Sequence, residues 1–192
     1  MIVLPTNDPA LKALSDTWKN EDALVELRDA LYKAHRDSAR RENISNQVFT
    51  IAFAANGQNA LQALAASISC MGGNNLPVME AQVLLHETDP ADSADNMIAH
   101  GIMVPGFGSP YMNGEDDELL EGFADALEKI SPETYDLIWS IQKVIGKGVF
   151  PNIAIYTAAY AKLAGIPAPL SPLLVVEART ETMRDMLSNK YK

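Results

Sequence analysis

A chain of 192 residues with 47% apolar and 21% charged content is long enough to bury one sizeable core and has the composition of an ordinary soluble globular protein. Fifteen basic against twenty-five acidic residues give a formal net charge of −10, which repels nucleic acid and anionic lipid, so neither is an expected partner. Cys70 is the sole cysteine, which excludes an intrachain disulfide and fits a reducing, cytoplasmic setting.

The N-terminal "MIVLPTNDPALK" has a short apolar run and no basic leader, and no stretch approaches the roughly 18 apolar residues of a membrane helix. Residues 1–20, which include Trp18, read as an arm that crosses to a neighbouring subunit. "EDALVELRDALYKAHRDSARRE" (21–42) places Leu24, Leu27, Ala30, Leu31 and Ala34 at i, i+3, i+4 spacing, which predicts an amphipathic helix. Acids at its start and bases at its end suit the helix dipole. "SNQVFTIAFAANGQNALQALAASISC" (45–70) has small and apolar residues on nearly every face, with Gly57 in the middle, and predicts two buried helical pieces. Further helices are predicted over 76–87, 90–101, 115–130, 132–146, 152–165 and 171–190, several of them opening on Ser, Asp or Pro and closing on Gly. Strand alternation is nearly absent, and only "QVFTIAF" and "VVEAR" imitate strands, so the fold class is all-α. Composition marks no domain boundary.

Standard chemical motifs are scarce. The histidines at 35, 86 and 100 are not spaced with a carboxylate or with Cys70 as metal ligands usually are, so no metal site is expected. "GFGSP" (106–110) does not match a nucleophile elbow, whose serine sits two residues from a glycine on each side after a strand. "CMGGNN" (70–75) reads most simply as a tight corner between helices, because phosphate cradling by such glycines needs a preceding strand.

The corners nevertheless come in a familiar order. "ALAASISCMGGNNLPVMEA" resembles the helix–corner–helix of the citrate synthase and citryl-CoA lyase superfamily, whose corner reads His-Gly-Gly-Ala-Asn. "IMVPGFGSP" resembles the superfamily's Pro-Gly-Phe-Gly-His turn, and "GKGVFPNIAIYTAAYAKLAGIP" its Tyr-Pro-Asn-Val-Asp-Phe-Tyr stretch and following helix. "LLVVEAR" is similar to the apolar run that ends in a substrate-binding arginine. The resemblance covers roughly residues 45 to 180. It implies a truncated citrate synthase-like helical fold, with 1–44 as an N-terminal arm and amphipathic helix and 45–192 as the helical core.

The resemblance also implies a loss. In the superfamily, one catalytic histidine opens the Gly-Gly corner, a second ends the Gly-Phe-Gly turn, and an aspartate after Pro-Asn-Val removes a proton from the acyl-CoA. Those positions here hold Met71, Ser109 and Ala154. Enolising a thioester needs a carboxylate near the carbon acid and a donor to the developing oxyanion, and Ala154 and Met71 supply neither. Ser109 can donate a hydrogen bond but is no base near neutral pH without a partner. The Asp-Pro-Arg element that should follow the turn is replaced by "NGEDDELL", with Glu118 near the arginine's place, where it would repel a dicarboxylate.

Two readings follow from the resemblance. In one, the chain is a catalytically inactive citrate synthase-like protein, an interaction or structural module or a sensor of an acyl-CoA or an organic acid. In the other, it is a divergent acyl-CoA carbon–carbon lyase or synthase that has recruited Ser109, Glu80, Tyr111 or Asp116, although Glu80 and Asp116 also read as ordinary helix acids. The implied ligand positions are Gly72, Gly73, Asn75, Gly106, Phe107, Gly108, Lys147, Asn152 and Arg179, with a CoA thioester as ligand and no resident cofactor. Arg179 reads either as this anion-binding residue or as a surface arginine, and His35 as a surface histidine between helices or as a superfamily ligand histidine. Only Lys143 and Lys147 lie near the expected nucleotide, and the acids from 115 to 118 oppose it, which favours a protein-binding role. Superfamily members pair through the small-residue helices of the 45–70 region, which implies a homodimer.

Overall fold

The computed structural model describes residues 22–40, 44–55, 59–69, 77–108, 118–146 and 148–180. Its elements, in chain order, are α1 (Asp22–Arg40), α2 (Ile44–Ala55), α3 (Ala60–Ser69), α4 (Val78–His86), α5 (Pro90–Ala99), α6 (Glu118–Ile130), α7 (Pro132–Ile145), α8 (Ile153–Leu163), a 3-10 turn at Ala168–Leu170, and α9 over 172–180. Among the described residues no strand forms, and a single antiparallel bridge joins Phe107 to Pro151. Both segments that imitate strands in the sequence lie in helices, "QVFTIAF" in α2 and "VVEAR" in α9. No described helix is long and apolar enough to cross a membrane.

Residue chemistry sets the boundaries. Asp89 caps α5 by accepting a hydrogen bond from the Asp92 amide at 3.0 Å, with Pro90 in the first turn, where its missing N–H costs nothing. The Asn59 carboxamide does the same for α3, accepting from the Leu61 and Gln62 amides. Gly146 ends α7 at φ 99°.

The core is organised around α8. Residues Ala154 to Ala161 are all buried, so this helix is sunk on every side, as its mostly apolar and small composition favours. Helix α1 lays Leu27, Leu31 and Ala34 into the same core against α6 and α8, while α4 packs on α8 from another side. Two long-range polar ties hold α4 in place: Gln82 Nε2 donates to the Ile166 carbonyl at 2.6 Å, and Lys162 Nζ donates to the Leu85 carbonyl at the end of α4.

Helices α2 and α3 behave differently. They pack mainly on each other, around a separate small core of Phe49, Phe53 and Ala63, with the two phenyl rings stacked 6.0 Å apart. The sequence predicts both as buried, but Ile51 is 69% and Leu61 78% exposed. Apolar residues on every face signal burial against something, and among the described residues Ile51 and Leu61 leave the outer face of this hairpin exposed.

Candidate functional site

The site is built where the turn after α5 meets the start of α8. Gly106 is buried at φ 86°, and a Cβ placed on it would lie 2.6 Å from the Ile155 Cβ and 3.0 Å from the Ile155 backbone. No other residue lets the turn approach the helix this closely. Gly108, at φ 73°, carries the turn onward and its amide donates to the Phe150 carbonyl at 2.9 Å. Asn152 makes three hydrogen bonds, two of which fasten the two segments together. Its amide donates to the Gly106 carbonyl at 2.9 Å, its Nδ2 to the Gly108 carbonyl at 2.6 Å, and its Oδ1 accepts from the Ala154 amide at 2.8 Å. The last of these caps α8. The structure brings Gly106, Phe107, Gly108 and Asn152, four of the implied ligand positions, together.

Ala154 follows in the first turn of α8 and is completely buried. Its side chain is a methyl group in the core, with no proton-accepting atom.

One turn further along α8, Thr157 is also completely buried. Its hydroxyl donates to the Ile153 carbonyl at 2.7 Å and stands 3.1 Å from Nε2 of His35. With the hydroxyl proton committed to Ile153, Nε2 must be the protonated nitrogen, leaving the Nδ1 lone pair without a hydrogen-bond partner among the described residues. His35 is not the surface histidine of the simpler sequence reading: it is fully buried. Its position on α1 puts it one residue past Ala34, on the core side of the helix. Burial, with the positive charge of Arg179 in addition, depresses its pKa to about 3, so the imidazole is neutral at physiological pH.

Arg179, on α9, is only 8% exposed, which removes the surface-arginine reading. Desolvation lowers its pKa to about 10, and the guanidinium remains charged near neutrality. Elsewhere between α1, α8 and α9, burial and the Glu177 carboxylate raise the Tyr32 phenol, and burial raises that of Tyr160. The interior thus holds a neutral imidazole against Thr157, one helical turn from Ala154, within the field of the buried Arg179.

Thr157 has no place among the sequence-derived candidates, although its signal exists: it is the one aliphatic hydroxyl in α8. Met71, Gly72, Gly73, Asn75, Ser109, Tyr111, Asp116 and Lys147 lie outside the described residues. Glu80 is an exposed acid on α4, and among the described residues no group of three or more His, Cys, Asp or Glu gathers as a metal set.

No protein-family model matches the chain, and no curated protein does. Among solved structures, the citryl-CoA lyase from Hydrogenobacter thermophilus matches over 85% of this chain and 68% of its own, with a TM-score of 0.68 and 17% sequence identity. Identity this low carries the architecture and not the activity. The chain has the helical fold of citrate synthase-like proteins.

Proposed function

We propose that this chain is a catalytically silent citrate synthase-like protein that works by binding rather than by turnover. The observation that carries the reading is the completely buried Ala154, a methyl group at the start of α8 where the superfamily's chemistry needs a carboxylate. Each acid–base contribution of this kind is worth about 10² to 10⁴ in rate, so losing the base together with a histidine would abolish the reaction. What persists is a scaffold, the turn stitched by Asn152, and a buried cation at Arg179 whose field reaches His35. That remnant supports a sensor of a carboxylate or acyl-CoA ligand, held without a resident cofactor, and the open face of the α2–α3 hairpin supports an interaction module. The implied ligand positions outside the described residues, Gly72, Gly73, Asn75 and Lys147, belong to the same proposal.

A homodimer is part of it. Ile51 and Leu61 stand on the outer face of α2 and α3, and an isologous contact is the commonest way to bury such a face. The lone cysteine and the acidic charge support a cytoplasmic protein with protein partners. The alternative is a divergent acyl-CoA carbon–carbon lyase or synthase, and the persistence of Arg179 in the interior is what favours it.

Isothermal titration calorimetry with acetyl-CoA, with and without oxaloacetate, separates the binding roles. Saturable heat at micromolar ligand that Arg179→Gln removes identifies a sensor. Absence of heat at near-millimolar ligand identifies a fold kept for its surfaces. Catalytic conversion of the ligand pair in the cell overturns the silent reading altogether.

A further inference from the structure

A second feature of the surface lies on the far side of α4 from α8's core packing. Helices α4 and α5 and the segment after α5 enclose an open groove of about 430 Å³, whose lining includes Met79, Glu80, Val83, Glu87, Met97 and Pro105. Val83 is 48% and Met79 38% exposed, while Ile102 and Met103, on the segment that delivers Pro105 to the groove, are 58% and 77% exposed. So much apolar surface on one edge is unusual for a face that meets only water. Methionine, unbranched and polarizable, suits a surface that must adapt to another apolar side chain.

The charges at the rim select the occupant. Glu80 and Val83 stand one turn apart on α4 and Glu87 is its C-cap, seven positions beyond Glu80, so a carboxylate stands toward each end of the apolar floor, roughly two turns apart. Both are exposed, and among the described residues neither takes part in an ion pair. A segment that pushes aliphatic side chains into the floor meets a negative charge at each end. That pattern is complementary to an amphipathic helix with lysine or arginine at positions two turns apart and aliphatic anchors between them. A protein of net charge −10 draws such a segment in and repels an acidic one.

We infer that the α4–α5 groove is a docking site for a cationic amphipathic helix of a partner protein. The site is separate from Ala154, His35 and Arg179, so it stands whether or not the interior binds a ligand.

The test uses the whole chain and a fluorescein-labelled designed helical peptide with leucines on one face and two lysines two turns apart at its edge, followed by fluorescence anisotropy. The lysine peptide should bind saturably and more weakly as salt is raised. Its Kd should weaken on the order of tenfold for Val83→Asp and for the paired Glu80→Gln, Glu87→Gln variant, and stay unchanged for Glu121→Gln with Glu128→Gln on α6. The paired glutamine variant changes only exposed, isosteric groups, so it reports even if Val83→Asp disturbs folding. Equal binding to all variants, or equal binding of a peptide with glutamates in place of the lysines, would overturn the proposal. A Val83→Asp chain that changes its sedimentation coefficient without peptide would also overturn it, by assigning the groove to a second copy of the chain.

Discussion

The buried His35 makes stability depend on pH in a window that a single substitution can isolate. In the folded chain its pKa is held at about 3, against an ordinary value of 6.5. The unfolded chain therefore binds a proton between these values that the folded chain refuses, and folding loses stability as pH falls from about 6.5 toward 3. Above pH 6.5 both states are neutral at this residue and the contribution is complete. Each pH unit inside the window removes about 1.4 kcal/mol, so moving from pH 7 to pH 5 costs about 2 kcal/mol, a sizeable part of the 5–15 kcal/mol typical of a domain. In a chain of this length that lowers Tm by about 4–8 °C. His35→Gln keeps a donor for Thr157 but cannot titrate, so urea denaturation of both proteins at pH 7, 6 and 5 separates His35 from the carboxylates they share. The original chain should lose about 2 kcal/mol more than the variant between pH 7 and 5. Parallel slopes would refute the burial of a neutral imidazole against the Arg179 charge.

Other substitutions probe the geometry around the site. Gly106→Ala places a Cβ 2.6 Å from the Ile155 Cβ at a positive φ, and should cost about 3 kcal/mol or more in chemical denaturation; Gly108→Ala meets only Val149 at 3.5 Å and should cost about 1–2 kcal/mol. Asn152→Asp keeps the α8 cap but loses the Nδ2 donor to Gly108, whereas Asn152→Ala loses both, so the alanine variant should be less stable by a further ~1 kcal/mol in the same assay. Ala154→Asp introduces a carboxylate inside the core at the first turn of α8, and should lower Tm through a burial cost of about 2 kcal/mol or more; the proposed silent reading predicts that it produces no turnover. Ile51→Asp or Leu61→Asp should convert the proposed dimer to monomer in analytical ultracentrifugation, because each buries a charge in the contact; an unchanged sedimentation coefficient would place the contact elsewhere.

Much of this architecture is written locally. The apolar period of α1, the Asp89–Pro90 start of α5, the Pro132 start and Gly146 stop of α7, and the mostly small and apolar α8 all follow from residue chemistry that acts within a few positions. Corner glycines at 106 and 108 are legible for the same reason, because positive φ and close approach are properties of the position itself. Burial of polar side chains is not local. His35 and Arg179 sit 144 positions apart in sequence, and their shared burial depends on α1 and α9 both reaching the interior, which no short-range pattern encodes. Thr157 was silent as a site residue because a threonine inside an apolar helix ordinarily returns its hydroxyl to the preceding turn, and Thr157 does that too; its bond to His35 exists only in the folded chain. The opposite error falls on α2 and α3, where all-round apolarity signals burial but cannot say whether the covering surface belongs to the same chain.

The most direct test of the silent reading is a turnover assay on the purified chain with acetyl-CoA and oxaloacetate, following release of the free CoA thiol. A methyl group at position 154 in the core predicts release no faster than the protein-free blank. Saturable, protein-dependent release that disappears in Arg179→Gln would contradict the account and establish that other residues have taken over the chemistry.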